Sequence, residues 1–391
     1  MKIVDVCAFY APHGGGVKTY IDRKLEIGTA LGHEIVVIAP GSHACVERRS
    51  GGGRIIFVES PPLIVDRRYR FFDDPARIHR LLVAEAPDLV EASSPWRTAN
   101  IVAGWQAATP RALVMHADPL AAYAYRWFGQ FGSRETIDRG FDPFWQHLRR
   151  LGRTFSTVVS ANTHLTDRLT AGGVAGVVTL PMGVDPGIFS PAHRDRHLRR
   201  ELLSRCALPD SASLLIGIGR HSAEKRWPMV IDACLAAGVA RPLGLVLVGD
   251  GRDRARLIRH IGGNPHIHLL APIADRTLLA RVIASADALI HGCEAETFGL
   301  AAAEAVASGL PLIVPDEGGA SDFVGPDNGE CYAAGDAGAA ARAIDRLFRR
   351  DPAALADAAR QRARAAPGIE VHFERLFDHY RDLAPPVRQA A

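Results

Sequence analysis

Short runs of β-branched and apolar residues alternate with helical patterns along most of the chain, and this alternation restricts the fold more than any other feature. Predicted strands are Ile3–Ala8, Glu34–Ala39, Arg54–Val58, Asp88–Ala92, Ala112–His116, Thr157–Ala161 and Val177–Leu180. Many are apolar on both faces, as strands are when helices cover each side of a parallel sheet. Helical patterns such as Val17–Leu31 and Asp74–Ala86 separate them. The stretch Pro181–Arg200, with Pro181, Pro186, Pro191, Gly183 and Gly187, reads as an interdomain linker. The alternation then restarts, with strands Leu214–Ile218, Leu243–Val248, His266–Leu270, Ala288–His291 and Pro311–Val314. Helices are predicted over Pro228–Ala237, Asp253–Ile261, Thr277–Ala284 and Leu300–Ser308, and an amphipathic one over Ile369–Leu383. The expected class is α/β, two doubly wound Rossmann-like domains in tandem.

Composition agrees with this. The 391 residues suffice for two to three domains. Apolar types at 48% and charged types at 23% suit a globular chain and exclude a disordered or fibrous one. No run approaches the roughly 18 apolar residues of a membrane span. The opening Met1–Cys7 reads as a first strand, not a signal peptide. Six scattered cysteines without a Cys-x-x-Cys pair suggest neither zinc nor disulfides, and a cytoplasmic protein is expected. A net charge of +3 does not call for nucleic acid. Basic residues are nearly all Arg; Lys occurs only at 2, 18, 24 and 225, so Lys225, far from the amino terminus, stands out.

Ligands of open α/β sheets gather at the carboxyl ends of strands. Four loops there carry chemistry. His13–Thr19 holds Gly14, Gly15 and Gly16 at a predicted helix start, but fits neither a Walker A loop nor a dinucleotide fingerprint. Gly219–Arg226 brings Arg220, Lys225 and Arg226 together, cations suited to a diphosphate. Val248–Gly251 offers Gly249 and Gly251 for a tight turn. His291–Glu304 joins an acidic loop to a helix start near Gly299 and Leu300, where free N–H groups favour an anion. Glu304, in an Ala-rich helix, needs a partner to offset burial, and ribose hydroxyls would serve. Glu296 is placed to reach a sugar beyond the phosphates. His116 ends a strand of the first half. The alternatives are structural: tight turns for the glycines, a solvated basic loop, a helix-start acid at Glu296 and a packed histidine at 116.

Together these residues resemble the retaining glycosyltransferases of family 4. The resemblance rests on Gly219-Arg220…Glu224-Lys225, Gly249-Asp250-Gly251 and Glu296-Thr297-Phe298-Gly299-Leu300…Glu304, followed by Ser308-Gly309-Leu310-Pro311. Pro181-Met182-Gly183-Val184-Asp185 with Phe189, and Gly318-Gly319 with Asp322, match its crossing segment and a later loop. The resemblance implies a GT-B architecture, two Rossmann-like domains facing across a deep cleft. Expected domains are 1–185 on the acceptor side and 186–366 for the nucleotide sugar, with helix 367–391 packing back on the first.

It also implies roles. Arg220 and Lys225 would hold the donor diphosphate, Glu304 the ribose and Glu296 the transferred sugar, with His116 near the anomeric centre. Gly15, Gly16, Gly249, Gly251, Phe298, Gly299 and Leu300 would complete the donor cradle, and backbone near Ile273 would meet the base. Thr297 and Met182 replace a common Gly and Asn. No Asp-x-Asp motif follows a strand, so side-chain cations are expected to replace a metal; no cofactor is expected, the nucleotide sugar being a substrate. Donor preference leans to GDP-mannose, with UDP-glucose second. Residues 120–153, dense in aromatics and arginines, suggest a lipid-linked acceptor and peripheral contact with an anionic membrane; a core of aromatics with solvated arginines is the alternative. Competing functions are a phosphorylase, a sugar-nucleotide epimerase and a non-catalytic nucleotide-sugar-binding subunit. A dehydrogenase fails for want of a dinucleotide fingerprint.

Overall fold

The computed structural model describes residues 1–11, 16–63, 69–118, 120–128, 133–185 and 187–383, without the side chains of Ala122, Tyr123, Tyr125, Arg126, Arg134 and Glu135. Gly14, Gly15 and Phe131 therefore lie outside the described residues, as do the side chains of Tyr123, Tyr125, Arg126 and Arg134 within the aromatic stretch. The chain divides into two compact units. One holds Met1–Asp118, Phe128–Pro181 and Glu370–Ala391; the other holds Pro119–Trp127 and Met182–Ile369.

The first unit is built on β1 (Lys2–Val6), β2 (Glu34–Gly41), β3 (Cys45–Arg48), β4 (Arg54–Glu59), β5 (Leu89–Ala92), β6 (Arg111–Val114), β7 (Thr157–Ser160) and β8 (Val177–Thr179). Their order is β3-β4-β2-β1-β5-β6-β7-β8, parallel except for β3, which pairs antiparallel with β4. The order reverses at β1, which has β2 on one side and β5 on the other. The β-branched centres of these strands are fully buried, Val4, Val36, Val37 and Ile38 among them. Helices Gly16–Ala30 and Ile369–Leu383 belong to this unit, and Tyr20, Phe373 and Phe377 pack between them and the sheet.

A buried charge cluster lies inside that packing. Asp5 of β1 and Glu91 of β5 are direct register partners. Like charges opposite one another destabilise a sheet. Lys24 answers them from the helix above, its Nζ 3.0 Å from Asp5 Oδ2 and 2.6 Å from Glu91 Oε2, with all three side chains fully buried.

The second unit has β9 (Ser213–Ile218), β10 (Leu243–Val248), β11 (Ile267–Leu270), β12 (Ala288–Ile290), β13 (Leu312–Pro315) and β14 (Gly329–Tyr332), all parallel, in the order β11-β10-β9-β12-β13-β14. Here the reversal falls at β9, between β10 and β12. The core joins β9, β10, β12 and β13 to helices Trp227–Gly238 and Ala337–Arg349 through Trp227, Ile231, Leu245, Ile290 and Ile344.

Three expectations are corrected. The predicted linker does not run to Arg200, because Asp195 caps a helix Arg196–Arg205 by accepting from His197 N and Leu198 N. The aromatic stretch is divided: Trp145 is buried and fills the space beside Gly172, whereas Trp127 and Phe128 are 55% and 44% exposed. Arg149 is not a solvated cation, since it bonds Asp142 at 2.8 Å and the Gly172 carbonyl at 3.1 Å. Among the described residues no helix is long and apolar enough to cross a membrane.

Candidate active site

In the second unit the loops after β9 and β12 leave neighbouring strands at the point where strand order reverses, the place where doubly wound sheets bind ligands. After β9 the chain passes Gly219 and Arg220, makes a short 3-10 turn over Ala223–Lys225, and enters helix Trp227–Gly238 through Arg226, whose φ of +48° is left-handed. That strained backbone is held by its own side chain: Arg226 grips Glu294 with two hydrogen bonds, from Nε at 2.7 Å and from Nη2.

Lys225 bonds Glu296 from the β12 loop. Burial opposes charge on Lys225, but Glu296 outweighs it and pushes the ammonium pKa up. Burial likewise pushes the Glu296 carboxyl up, yet Lys225 and then His291 outweigh it and hold it well below the usual carboxylate range. Both groups therefore stay charged at neutral pH. Arg220 is 56% exposed and leans on Glu224 at 3.1 Å, which also accepts from Ser222 Oγ at 2.5 Å.

Glycines let these loops approach. A Cβ on Gly249 would lie 2.0 Å from the Gly219 carbonyl oxygen, and one on Gly251 2.4 Å from that of His221. Both sit at positive φ, near +155° and +158°. Gly299 opens helix Leu300–Ala307 at φ +80°, and among the described residues no side chain caps that end. Phe298 is buried and packs edge-on to Phe323 at 5.4 Å. Ile273 lies in the loop after β11.

Glu304 is buried as expected, and its partner is Arg276, at 2.9 Å. Arg276 in turn stacks 4.8 Å over Phe189 and lies 3.8 Å from Asp185. Burial still pushes the Glu304 carboxyl up against the pull of Arg276. Arg276 was not legible in the sequence, since nothing in its helical pattern marks it. His291 was also passed over. It is 1% exposed, neither ring nitrogen has a hydrogen-bond partner among the described residues, and Nε2 stands 3.5 Å from Glu296 Oε2. His291, Cys293 and Glu296 offer ligand atoms within 4.8 Å of one another. Two features oppose a cation there: Lys225 already holds Glu296, and burial pushes the Cys293 thiol up to about 12.

In the first unit, Gly16 opens helix Gly16–Ala30 and is exposed, while Gly15 falls outside the described residues. His116 follows β6, half-buried, with Nε2 3.3 Å from Ser93 Oγ and its ring edge-on to Tyr20 at 5.0 Å. Burial lowers its pKa to about 4.

This geometry gathers cations, a carboxylate and an uncapped helix start at one sheet edge, which is the equipment of a transferase acting on an activated, anionic donor. Residues 14–187 match the Glycosyltransferase Family 4 profile, and residues 200–366 match that of Glycosyl transferases group 1. The chain is 32% identical over 339 residues to a GDP-mannose-dependent alpha-(1-6)-phosphatidylinositol dimannoside mannosyltransferase of Mycobacterium tuberculosis, covering 85% of this chain and 84% of that one. It is 30% identical to a GDP-mannose-dependent alpha-mannosyltransferase of the same species, over 83% of this chain and 82% of that one. Sucrose-phosphate synthase from Thermosynechococcus elongatus shares the fold at a TM-score of 0.76 and 20% identity, covering 98% of this chain and 99% of that one. The chain belongs to the family 4 glycosyltransferases, of GT-B architecture, and is a hexosyltransferase that uses a nucleotide sugar.

Proposed function

We propose that this enzyme transfers mannose from GDP-mannose, with retention of anomeric configuration, to a hydroxyl of a lipid-linked acceptor. The observation that carries the reading is the charged Lys225–Glu296 pair at the reversal point of the second sheet. An ammonium has three donors, so Lys225 can keep Glu296 and still bond a donor phosphate. Glu296 keeps free lone pairs for sugar hydroxyls. Arg220, its side chain exposed, adds a second cation as the diphosphate leaves, and the helix start at Gly299 adds backbone N–H groups. Glu304 takes the ribose, with Arg276 offsetting its burial. His116 acts at the transferred sugar. Gly16 joins the phosphate cradle, and Gly249 and Gly251 give the donor room.

The donor assignment is supported by the GDP-mannose-dependent relatives, and the acceptor by the phosphatidylinositol dimannoside named for one of them. With Lys225 and Arg220 to neutralise the diphosphate, no metal is needed. A thermal-shift panel of GDP-mannose, UDP-glucose, UDP-galactose and UDP-GlcNAc, run in excess EDTA, tests both points. GDP-mannose at 100 times its Kd is expected to stabilise by about 2.7 kcal/mol. Stabilisation by UDP-sugars alone overturns the donor, and GDP-mannose stabilisation that is absent in EDTA but restored by excess magnesium overturns the metal independence.

A further inference from the structure

The buried cluster of the first unit ends at His116. Lys24 bonds Asp5 through Oδ2, and the other oxygen of Asp5, Oδ1, accepts from Ser93 Oγ at 2.8 Å. Ser93 is fully buried and lies 3.3 Å from His116 Nε2. A serine hydroxyl has one proton. A carboxylate paired to an ammonium can only accept, so that proton goes to Asp5. Glu91 Oε1, 3.5 Å from Ser93 Oγ, is a more distant acceptor of the same kind. Ser93 can then meet His116 only by accepting from it. Burial keeps the ring neutral at pH 7, so it carries one proton, and the bond to Ser93 places that proton on Nε2.

We propose that Lys24 and Asp5 act through Ser93 as positioning residues that hold His116 in the Nε2–H tautomer. Lys24 fixes the direction of the relay because it donates only. It binds one Asp5 oxygen and leaves the other as the acceptor that orients Ser93. The sequence separation of Asp5, Lys24, Ser93 and His116 hides the relay. Parallel strands β1, β5 and β6 end side by side and bring it together. The catalytic consequence rests on His116 acting at the transferred sugar; the tautomer itself does not.

Full-length protein labelled with 15N-histidine tests it by long-range 1H–15N correlation at pH 7.5, with His116 assigned from its loss in His116→Gln. The wild type is expected to show the Nε2–H pattern. In Asp5→Asn the amide oxygen turns to Lys24 and the NH2 to Ser93, which then gives its own proton to His116, so the Nδ1–H form appears. Lys24 keeps Glu91 as its counter-ion in this variant, so the fold is expected to survive. Ser93→Ala removes the preference, and Ser93→Thr restores it. Turnover is expected to fall about 10–100-fold in Asp5→Asn and Ser93→Ala, as when the hydrogen-bond partner of a metal-bound histidine is removed, with the donor KM little changed. A wild-type Nδ1–H pattern, or an Nε2–H pattern kept in both Asp5→Asn and Ser93→Ala, overturns the relay. A tautomer that moves while kcat does not upholds the relay and removes His116 from the reaction centre.

Discussion

Lys225 holds its charge against burial because Glu296 is its neighbour, and in the proposed reaction the leaving diphosphate gives it a second. Lys225→Ala removes a charge-assisted bond of about 1.5–3 kcal/mol, so kcat/KM is expected to fall about 10–100-fold while the fold persists. Full activity in steady-state assays with saturating acceptor sinks the assignment. This residue was legible because the chain otherwise chooses Arg. Lys24 is as rare a choice, yet its place near the amino terminus and inside an ordinary helical pattern hid it. Its partners Asp5 and Glu91 sit on separate strands, and only sheet register makes them neighbours. Arg276 was hidden for the same reason: it reaches Glu304 through the fold, and no local spacing announces it.

At the scale of elements, the C-terminal helix Ile369–Leu383 is tied to the rest of the first unit by polar contacts along its length, His379 Nε2 with Thr157 Oγ1 at 3.0 Å and Glu370 with Arg23 at 3.4 Å among them. Tyr380 donates to Glu91 Oε2 at 2.8 Å, His372 Nδ1 donates to the Pro181 carbonyl at 3.1 Å, and Tyr20 donates to His372 Nε2 at 3.1 Å. Burial pushes Glu91 up to about 7, with Lys24 opposing and Asp5 assisting. The folded chain therefore keeps a proton that the unfolded chain releases, and stability is lost as pH rises from about 4.5 to about 7. The slope from one such group is at most about 1.4 kcal/mol per pH unit. Glu91→Gln should flatten it, so the variant gains on the wild type in melting temperature between pH 5 and pH 7.5. His116 and His372, both lowered to about 4, tilt the curve the other way, but equally in the two proteins. Parallel Tm curves would remove Glu91 as the titrating group. Central strands and the terminal helix were readable because their apolar periods are clean. β3 and β14 were not: each is a four-residue edge strand, and β3 carries Glu47 and Arg48 outward. The start of helix Arg196–Arg205, to Arg200, was read as linker because its charges mask the two leucines, Leu202 and Leu203, that the helix buries.

For the molecule as a whole, the alternation of strand and helix made both sheets readable, whereas the surface had to be seen. Trp96 and Phe128 are 43% and 44% exposed, and Arg150 and Arg153 are exposed as well. A lipid-linked acceptor predicts that the enzyme sediments with anionic vesicles, less so in high salt, and less again in an Arg150→Ser, Arg153→Ser variant. Equal recovery in the supernatant with anionic and neutral vesicles would favour a soluble acceptor. The scarcity of lysine has a separate consequence. Lys2 opens β1 and Lys18 lies in the same helix as Lys24, so cutting after either also reports on the first unit. Of the other two, Lys24 lies buried in the first unit and Lys225, its side chain 16% exposed, in the second. A lysine-specific protease thus becomes a reporter with an address in each half: cleavage after 24 records opening of the first unit, cleavage after 225 opening of the second, and the fragment masses tell which gives way first.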